Sequence, residues 1–262
     1  MATEITFLTY NTLFNRGLRG LKEIISRYHP DIICLQEIAT DEENLTQLES
    51  EIYKLADFSN YAIKKEGVFG IATFYNKQKL QFNNSNIILL SKTVFDFLFS
   101  FPKIFNSNQL KRNVLKTVFK VKTTNKKIAV FNTHLTVYGS NNTRIKQLRN
   151  VLNNFKIDKN SSAIIAGDFN YFPYGRKKLE KIMLEHGFKE ATKKLTYTIK
   201  YRNLKDFYFN FIVRGIIKIF SFLISDRLKI DYIFYKKLKL INCQRINIDY
   251  SDHYPIMAKF KL

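Results

Sequence analysis

A run of small and apolar residues, Ser162 to Ala166, stops abruptly at Gly167-Asp168-Phe169-Asn170. Its length and composition predict a buried strand. Strand side chains alternate with a period of two, so Asp168 and Asn170 project the same way where the strand ends. Oxygen ligands at such a place suit a hard cation and the water or phosphate it organises. Asp and Asn are also ordinary turn residues, and taken alone the segment fits a strand running into a turn. The arrangement gains weight because the chain repeats it.

Thr3 to Tyr10 alternates as a strand and ends at Asn11. Leu18, Leu21, Ile24, Ile25 and Tyr28 have helical spacing, and Pro30 stops that helix. Asp31 to Leu35 forms a second buried run ending at Gln36 and Glu37. Asp41 is placed to cap a helix carrying Leu45, Leu48, Ile52 and Leu55. Strands are expected over 70–75, 86–90, 114–121 and 127–132, the last ending at Thr133-His134-Leu135. A helix with Ile145, Leu148, Leu152 and Phe155 leads into the Ser162 run. Another, from about Gly175 to His186, is closed by Gly187. Lys229 to Phe234 and a closing stretch to Leu262 read as strands. Strands and helices alternate twice, separated by strand-rich meanders. The pattern predicts an α/β fold of two sheets packed face to face with helices outside, in α/β/β/α layers. No stretch reads as a linker, so residues 1–262 are expected to form one domain.

The net charge is +21 and it is unevenly spread. Residues 1–60 hold 5 Lys and Arg against 10 Asp and Glu; the remainder holds 38 against 12. Such a field attracts polyanions, either nucleic acid or an anionic bilayer, although a Lys-rich solvated surface gives the same count. Cys34 and Cys243 lie in apolar runs and read as core thiols of a reducing compartment, without disulfide or zinc spacing. The N-terminus shows no secretory pattern, and a cytoplasmic location is expected.

Asn11, Glu37, His134, Asp168 with Asn170, Asp231, and Asp252 with His253 all fall at strand ends or in adjacent loops. Each has an ordinary structural explanation. Asp231, set between Ile230 and Tyr232, needs a partner because an unpaired carboxylate in a strand is costly, and His253 is the cationic candidate. The ordered series Tyr10-Asn11, Leu35-Gln36-Glu37, Asn132-Thr133-His134-Leu135, Gly167-Asp168-Phe169-Asn170, Ile230-Asp231-Tyr232 and Ser251-Asp252-His253 resembles the endonuclease/exonuclease/phosphatase superfamily. The resemblance spans nearly the whole chain and implies a DNase I-like four-layer sandwich. It also implies a Mg²⁺- or Mn²⁺-dependent phosphoester hydrolase. On this basis Glu37 would hold the metal, with Asn11 and Asp252 near it. Asp168 would orient or deprotonate the attacking water, and Asn170 would bind phosphoryl oxygens. His253 would contact the scissile phosphate, held in its tautomer by Asp231. His134 would bind phosphate or protonate the leaving oxygen, and Arg112 matches a phosphate-binding arginine. Charge neutralisation of an in-line phosphoryl transition state gives the set its logic.

Thr133-His134-Leu135 is similar to the DNase I, sphingomyelinase and phosphatase branches; abasic-site endonucleases carry a tyrosine there and a tryptophan near the Asp231 motif. This chain has no Trp, although its 15 Tyr and 24 Phe could stack on bases. Two Phe-rich stretches depart from the motif series: Val94 to Phe105, and Phe207 to Ser225. In the second, Asp206, Asn210, Arg214, Lys218, Ser221 and Ser225 fall on one helical stripe. The remaining wide apolar face includes Phe207, Phe211, Ile217 and Phe220. A core helix and a subunit contact are the structural alternatives. A membrane span is excluded because it would put Asp168 and His253 on opposite sides of the bilayer. The reading adopted is an interfacial helix, contacting an anionic membrane surface from its inner face. The functional expectation is a membrane-surface phosphoesterase of phospholipid type. A soluble nuclease on DNA or RNA and a non-catalytic basic scaffold are the alternatives.

Overall fold

The computed structural model describes residues 3–64, 67–91, 108–109, 112–137, 139–153, 161–200 and 227–262. The first part of the chain forms β1 (Glu4–Asn11), α1 (Leu18–Tyr28), β2 (Ile32–Ala39), α2 (Glu42–Thr46), β3 (Tyr53–Lys64), β4 (Gly67–Asn76) and β5 (Leu80–Leu89). The middle forms β6 (Asn108–Gln109), β7 (Asn113–Val121), β8 (Lys127–His134), α3 (Asn141–Asn153), β9 (Ser162–Asp168) and α4 (Arg176–Glu185). The last part forms β10 (Lys189–Glu190), β11 (Ile199–Lys200), β12 (Arg227–Leu228), β13 (Asp231–Lys236), β14 (Lys239–Arg245) and β15 (Ile256–Lys261). The strands make a seven-stranded sheet in the order β14-β15-β1-β2-β4-β3-β6 and a six-stranded sheet in the order β10-β13-β9-β8-β7-β5. A short β11-β12 pair stands beside them.

Each large sheet is antiparallel except for one central pair. β1 and β2 are parallel, as are β8 and β9, and each pair is bridged by a helix, α1 or α3. A parallel pair requires such a crossover, and the helix then covers the sheet's outer face. Residue alternation assigns the layers. Ile5 and Phe7 of β1, Ile32 and Cys34 of β2, Val130 of β8, and Ile164 and Ala166 of β9 meet between the sheets, all fully buried. Their neighbours Leu8, Ile33 and Leu35 turn outward onto Leu21 and Ile24 of α1. Phe131 and Ile165 turn outward onto Ile145 and Leu148 of α3 and onto Leu179 and Met183 of α4. The chain therefore has the expected α/β/β/α sandwich. The middle layer is mostly apolar, and its buried polar residues near the site, Thr9, Gln36, Thr73 and Asn132, are joined by hydrogen bonds. Buried Asn132 donates to Leu35 O (3.1 Å) and Ala72 O (2.9 Å) of the opposite sheet, and accepts from Gln36 Nε2 (2.8 Å). With all of its polar atoms engaged, this bridge fixes one sheet against the other.

Three local expectations are corrected. Asp41 does cap α2, accepting from Asn44 N at 3.0 Å, but that helix ends at Thr46. Ser50 Oγ accepts the N–H groups of Ile52 and Tyr53, a turn that releases the chain into β3. Leu55 therefore lies in a strand and Ile52 just before one. β5 begins at Leu80, well ahead of the expected residue 86, and β14 is a strand that the sequence pattern did not indicate. Cys34 is a buried free thiol and Cys243 a half-buried one, and burial raises the pKa of both, Cys243 to about 12. The Phe-rich stretch 94–105 and the helix expected over 207–225, with Phe207, Phe211, Ile217 and Phe220, lie outside the described residues. Among the described residues no helix is long and apolar enough to cross a membrane.

Candidate active site

Strand register builds one row of the site. His134 at the end of β8 is the parallel partner of Asp168 at the end of β9, and Asp168 is the antiparallel partner of Asp231 at the start of β13. Three chemically active side chains thus stand on adjacent strand ends. The other sheet supplies Asn11 from the end of β1, whose Nδ2 donates to Asp168 Oδ2 at 3.2 Å. It also supplies Glu37 from β2. Glu37 sits at a bulge between Gln36 and Ile38 with φ of 54°, a left-handed geometry that a non-glycine residue adopts only under constraint. His253 arrives on the loop before β15, anchored by a backbone bridge to Ile199 and by Ser251 Oγ, which accepts from His253 N (3.2 Å) and donates to Asn11 O (2.9 Å).

The charges interlock. Both oxygens of Asp231 lie 3.0 Å from His253 Nδ1, and Asp231 Oδ2 also accepts from Thr198 Oγ1 at 2.6 Å. The far nitrogen of His253, Nε2, is 3.7 Å from Asp168 Oδ2 and 4.0 Å from Asp252 Oδ1. Burial alone would lower the pKa of His253, but the carboxylates of Asp231, Asp252 and Asp168 outweigh it and push the pKa well above the ordinary imidazole value. Asp168 Oδ1 accepts from Asn170 N at 2.8 Å, and Oδ2 lies 3.4 Å from His134 Nε2. Burial pushes the Asp168 pKa up to about 7, with His253 opposing the shift and Asp231 adding to it. His134 is held well below its ordinary value by burial and by the nearby Arg112 and His253, so its ring is neutral. Burial, reinforced by Asp252, raises the pKa of Glu37.

Three buried polar atoms here have no hydrogen-bond partner: Glu37 Oε2, His134 Nε2 and Arg112 Nη1. Orphaned polar atoms are costly, and a cluster of them beside carboxylates marks a place for a ligand. Arg112 lies just before β7, and its guanidinium stands 5.1 Å from the centre of the Tyr61 ring. Asp168, Asp231 and His253 offer ligand atoms that all lie within 4.8 Å of one another, a group able to hold a metal ion. Asp231, however, is already engaged by His253 and Thr198. The free oxygen of Glu37 fits a divalent cation better, since a carboxylate needs a cation or donor on every buried oxygen.

The structure therefore brings together Asn11, Glu37, His134, Asp168, Asp231 and His253, with Asp252 and Arg112 at the rim. Asn170 is buried with φ of 49°, its Nδ2 donating to Leu135 O at 3.2 Å, which leaves its second N–H for another acceptor. Sequence reasoning passed over four supports. Tyr61 donates to or accepts from His134 Nδ1 at 2.9 Å, and Thr198 braces Asp231. Arg144 of α3, fully buried, donates to Thr136 O (3.0 Å) and Val137 O (2.7 Å) in the loop after His134. Gln147, one turn on, accepts from Thr136 N at 3.1 Å. Arg144 and Gln147 fall three apart on the same stripe as Leu148 and Val151. Polar residues within an apolar stripe were the available signal.

The structural and family likenesses agree. A comparison with curated protein sequences finds no match. Among solved structures, the endonuclease/exonuclease/phosphatase from Bacteroides vulgatus is similar at 20% identity and a TM-score of 0.71, with 99% of each chain covered. D. rerio TDP2, complexed with a single-strand DNA product, is similar at 17% identity and a TM-score of 0.66, covering 98% of this chain and 99% of that one. The Bacteroides thetaiotaomicron mannosyl-6-phosphatase is similar at 17% identity and a TM-score of 0.65, with the same coverage. At these identities the likeness is one of fold. The Endonuclease/Exonuclease/phosphatase family model matches residues 8–253, which include every site residue named above. The chain belongs to the endonuclease/exonuclease/phosphatase family, whose members are phosphoester hydrolases.

Proposed function

We propose that this chain hydrolyses a phosphoester with a divalent metal, Mg²⁺ or Mn²⁺, and that its substrate lies on an anionic membrane surface. The observation that carries the reaction class is the cluster of unpartnered buried atoms, Glu37 Oε2, His134 Nε2 and Arg112 Nη1, around the Asp168–His253–Asp231 chain. A tetrahedral dianionic group answers the two donors, and a cation answers the carboxylate.

Asp168 is the proton acceptor. Its oxygens are fixed by Asn170 N and Asn11 Nδ2, and its position beside two imidazoles lets it orient a water and take a proton from it. His253, protonated and held by Asp231, presents a charged Nε2–H to a phosphoryl oxygen as negative charge grows there. Arg112 and the second N–H of Asn170 bind the remaining phosphoryl oxygens. Neutral His134 stands on the other side of Asp168, placed to donate from Nε2 to the leaving oxygen. Glu37 would hold the cation, with Asn11 and Asp252 completing its surroundings. When bound, a divalent cation supplies Lewis-acid neutralisation of phosphoryl charge.

The substrate class is supported by sequence. The positive excess after residue 60 and the regular polar stripe of 207–225 favour an anionic bilayer. DNA or RNA is the competing polyanion, and the same fold carries both a DNA-product complex and a sugar phosphatase. The test is hydrolysis of anionic liposomes, single-stranded DNA and a small soluble phosphodiester, each with Mg²⁺ and with EDTA. Metal-dependent release from all or any of these supports the reaction class, and release from none with any divalent metal would refute it. Faster turnover of the lipid, together with liposome binding lost in Ile217→Asp/Phe220→Asp, supports the membrane surface. Failure of wild-type protein to bind anionic liposomes at low salt would give the nucleic acid reading precedence.

A further inference from the structure

Tyr61 sits near the middle of the site, although nothing in the family motif series includes it. It lies on β3, 4% exposed, and its hydroxyl touches two site residues from two different strands. Glu37 N donates to the hydroxyl at 3.1 Å, and His134 Nδ1 lies 2.9 Å from it. The ring meets His134 edge-on with centroids 5.0 Å apart, and Arg112 covers the ring at 5.1 Å. One phenol thus contacts Glu37, His134 and Arg112, three site residues that each carry a buried polar atom without a partner.

Proton accounting decides what the phenol does. Its oxygen already receives the Glu37 N–H, so its own O–H must find an acceptor. A buried hydroxyl left without one is costly, and His134 Nδ1 is within reach. If Nδ1 accepts, the ring proton sits on Nε2. The other side of the ring gives the same answer independently. Nε2 faces Asp168 Oδ2 at 3.4 Å and Glu37 Oε1 at 3.8 Å, and a bare lone pair between two carboxylate oxygens would be repelled. With Asp168 ionised, the Nε2–H form satisfies both sides.

We propose that Tyr61 is a positioning residue, whose hydroxyl couples the Glu37 backbone to His134 and holds His134 in the Nε2–H tautomer, with its donor aimed into the phosphoryl site. The proposal rests on the phosphoesterase reading for what that donor serves, but the tautomer itself is independent of it. Tyr61 would act on the reaction only through His134 and Glu37. The same bond ties β3 to the ends of β2 and β8, so one residue sets the spacing between the carboxylate suited to a cation and the histidine suited to the leaving oxygen.

The test is ¹⁵N imidazole NMR on the full chain, wild type and Tyr61→Phe, beside kinetics on whichever phosphoester the wild type hydrolyses. The chain has four histidines, His29, His134, His186 and His253, so a His134→Asn spectrum assigns the signal. Wild-type His134 should be the Nε2–H tautomer. In Tyr61→Phe that preference should collapse, with kcat lowered about 10- to 100-fold, KM little changed and the thermal midpoint shifted by only a few degrees. A wild-type Nδ1–H tautomer would overturn the proposal without recourse to Tyr61→Phe, and so decides the matter even if that variant does not fold. Tyr61→Phe with tautomer and kcat both unchanged would overturn it as well. If wild type hydrolyses no phosphoester while the tautomer still depends on Tyr61, the functional reading falls and the positioning role stands.

Discussion

His253 joins two carboxylates: its Nδ1 lies 3.0 Å from both oxygens of Asp231, and its Nε2 faces Asp168 Oδ2 at 3.7 Å. Asp231 and Asp168 are themselves register partners, so the imidazole bridges like charges that the sheet sets side by side. Residues that work as such a unit lose function together. Asp231→Asn and His253→Asn should each lower kcat/KM by about 10²-fold or more, with the double variant little worse than either single one. Losses that multiply across the double-mutant cycle would separate the two residues.

Glu37 predicts opposite effects on stability with and without metal. Its unpartnered oxygen and raised pKa mark a buried carboxylate whose burial outweighs the nearby cations Lys64, His253 and Arg112. In EDTA, Glu37→Gln should be at least as stable as wild type, because a buried charge that its neighbours only partly offset has been removed. With Mg²⁺ at about 100 times Kd, wild type should gain about 2.7 kcal/mol and Glu37→Gln much less. Activity should fall about 10²-fold or more in the variant. Equal Mg²⁺ stabilisation of both proteins, followed by thermal unfolding, would place the cation elsewhere.

Asp168 gives a pH dependence of definite sign. Its carboxyl titrates near 7 in the folded, metal-free chain and near 3.8 when unfolded, so between these values the folded state holds the extra proton. The resulting stability is fully present below about pH 4 and is lost as pH rises through about 7. In EDTA, the stability of wild type minus that of Asp168→Asn should decline from pH 5 to pH 8, on the order of that window. Activity should show an acid limb well above the ordinary aspartate range, since Asp168 accepts a proton only when ionised. A flat stability difference across the window would mean that Asp168 is solvated or otherwise compensated.

The inner strands were legible because their chemistry is unambiguous. β1, β2, β8 and β9 are short apolar runs that end in polar residues, and the sheet stacks their alternate faces as the period of two requires. The contact between Asp231 and His253 followed from the cost of an unpaired carboxylate. β3 was illegible for a physical reason: bulges at Leu55/Asp57 and at Asn60/Ala62 shift the alternation twice within twelve residues. Tyr61 lies in the second bulge, so its inward direction could not be read from its neighbours. Ile52 and Leu55 continued the helical spacing of Leu45 and Leu48, but Ser50 interrupts the backbone in a way that spacing does not reveal. Cross-sheet polar pairs such as Gln36 with Asn132 are 96 residues apart and exist only once the sheets are stacked.

Arg144 should matter to folding first and to the site through it. The guanidinium is fully buried, bonded to Thr136 O and Val137 O, and stands 4.8 Å from the centre of the Phe172 ring. Its contact with Asn141 (3.4 Å) links it to the loop after Asn170, since Asn141 Oδ1 accepts from Phe172 N. Arg144→Met removes these two hydrogen bonds, a cost of about 2–4 kcal/mol, lessened by removal of a buried cation. Denaturant unfolding should show the loss with an unchanged slope. A variant as stable as wild type would mean that water replaces the guanidinium in this loop.

Gly167 offers the sharpest structural test, because it is the residue through which the chain reaches Asp168. Its φ is +134°, outside the range of ordinary side chains, and a Cβ there would lie 2.0 Å from Thr133 O on the parallel neighbour β8. That neighbour is backbone, and the β8–β9 pairing carries both His134 and Asp168, so relief of the clash must separate the two. Gly187 provides the control. It also has positive φ, +79°, but its added Cβ would meet only the flexible end of Lys236 at 3.2 Å. Gly187→Ala should cost about 1 kcal/mol from left-handed backbone strain alone. Gly167→Ala should cost about 3 kcal/mol or more and abolish turnover. Chemical denaturation of both variants measures the first effect, and kcat on the wild-type substrate measures the second. Equal stabilities for the two variants, or an active Gly167→Ala, would show that the β8–β9 contact has slack, and that the placement of Asp168 beside His134 does not depend on this close approach.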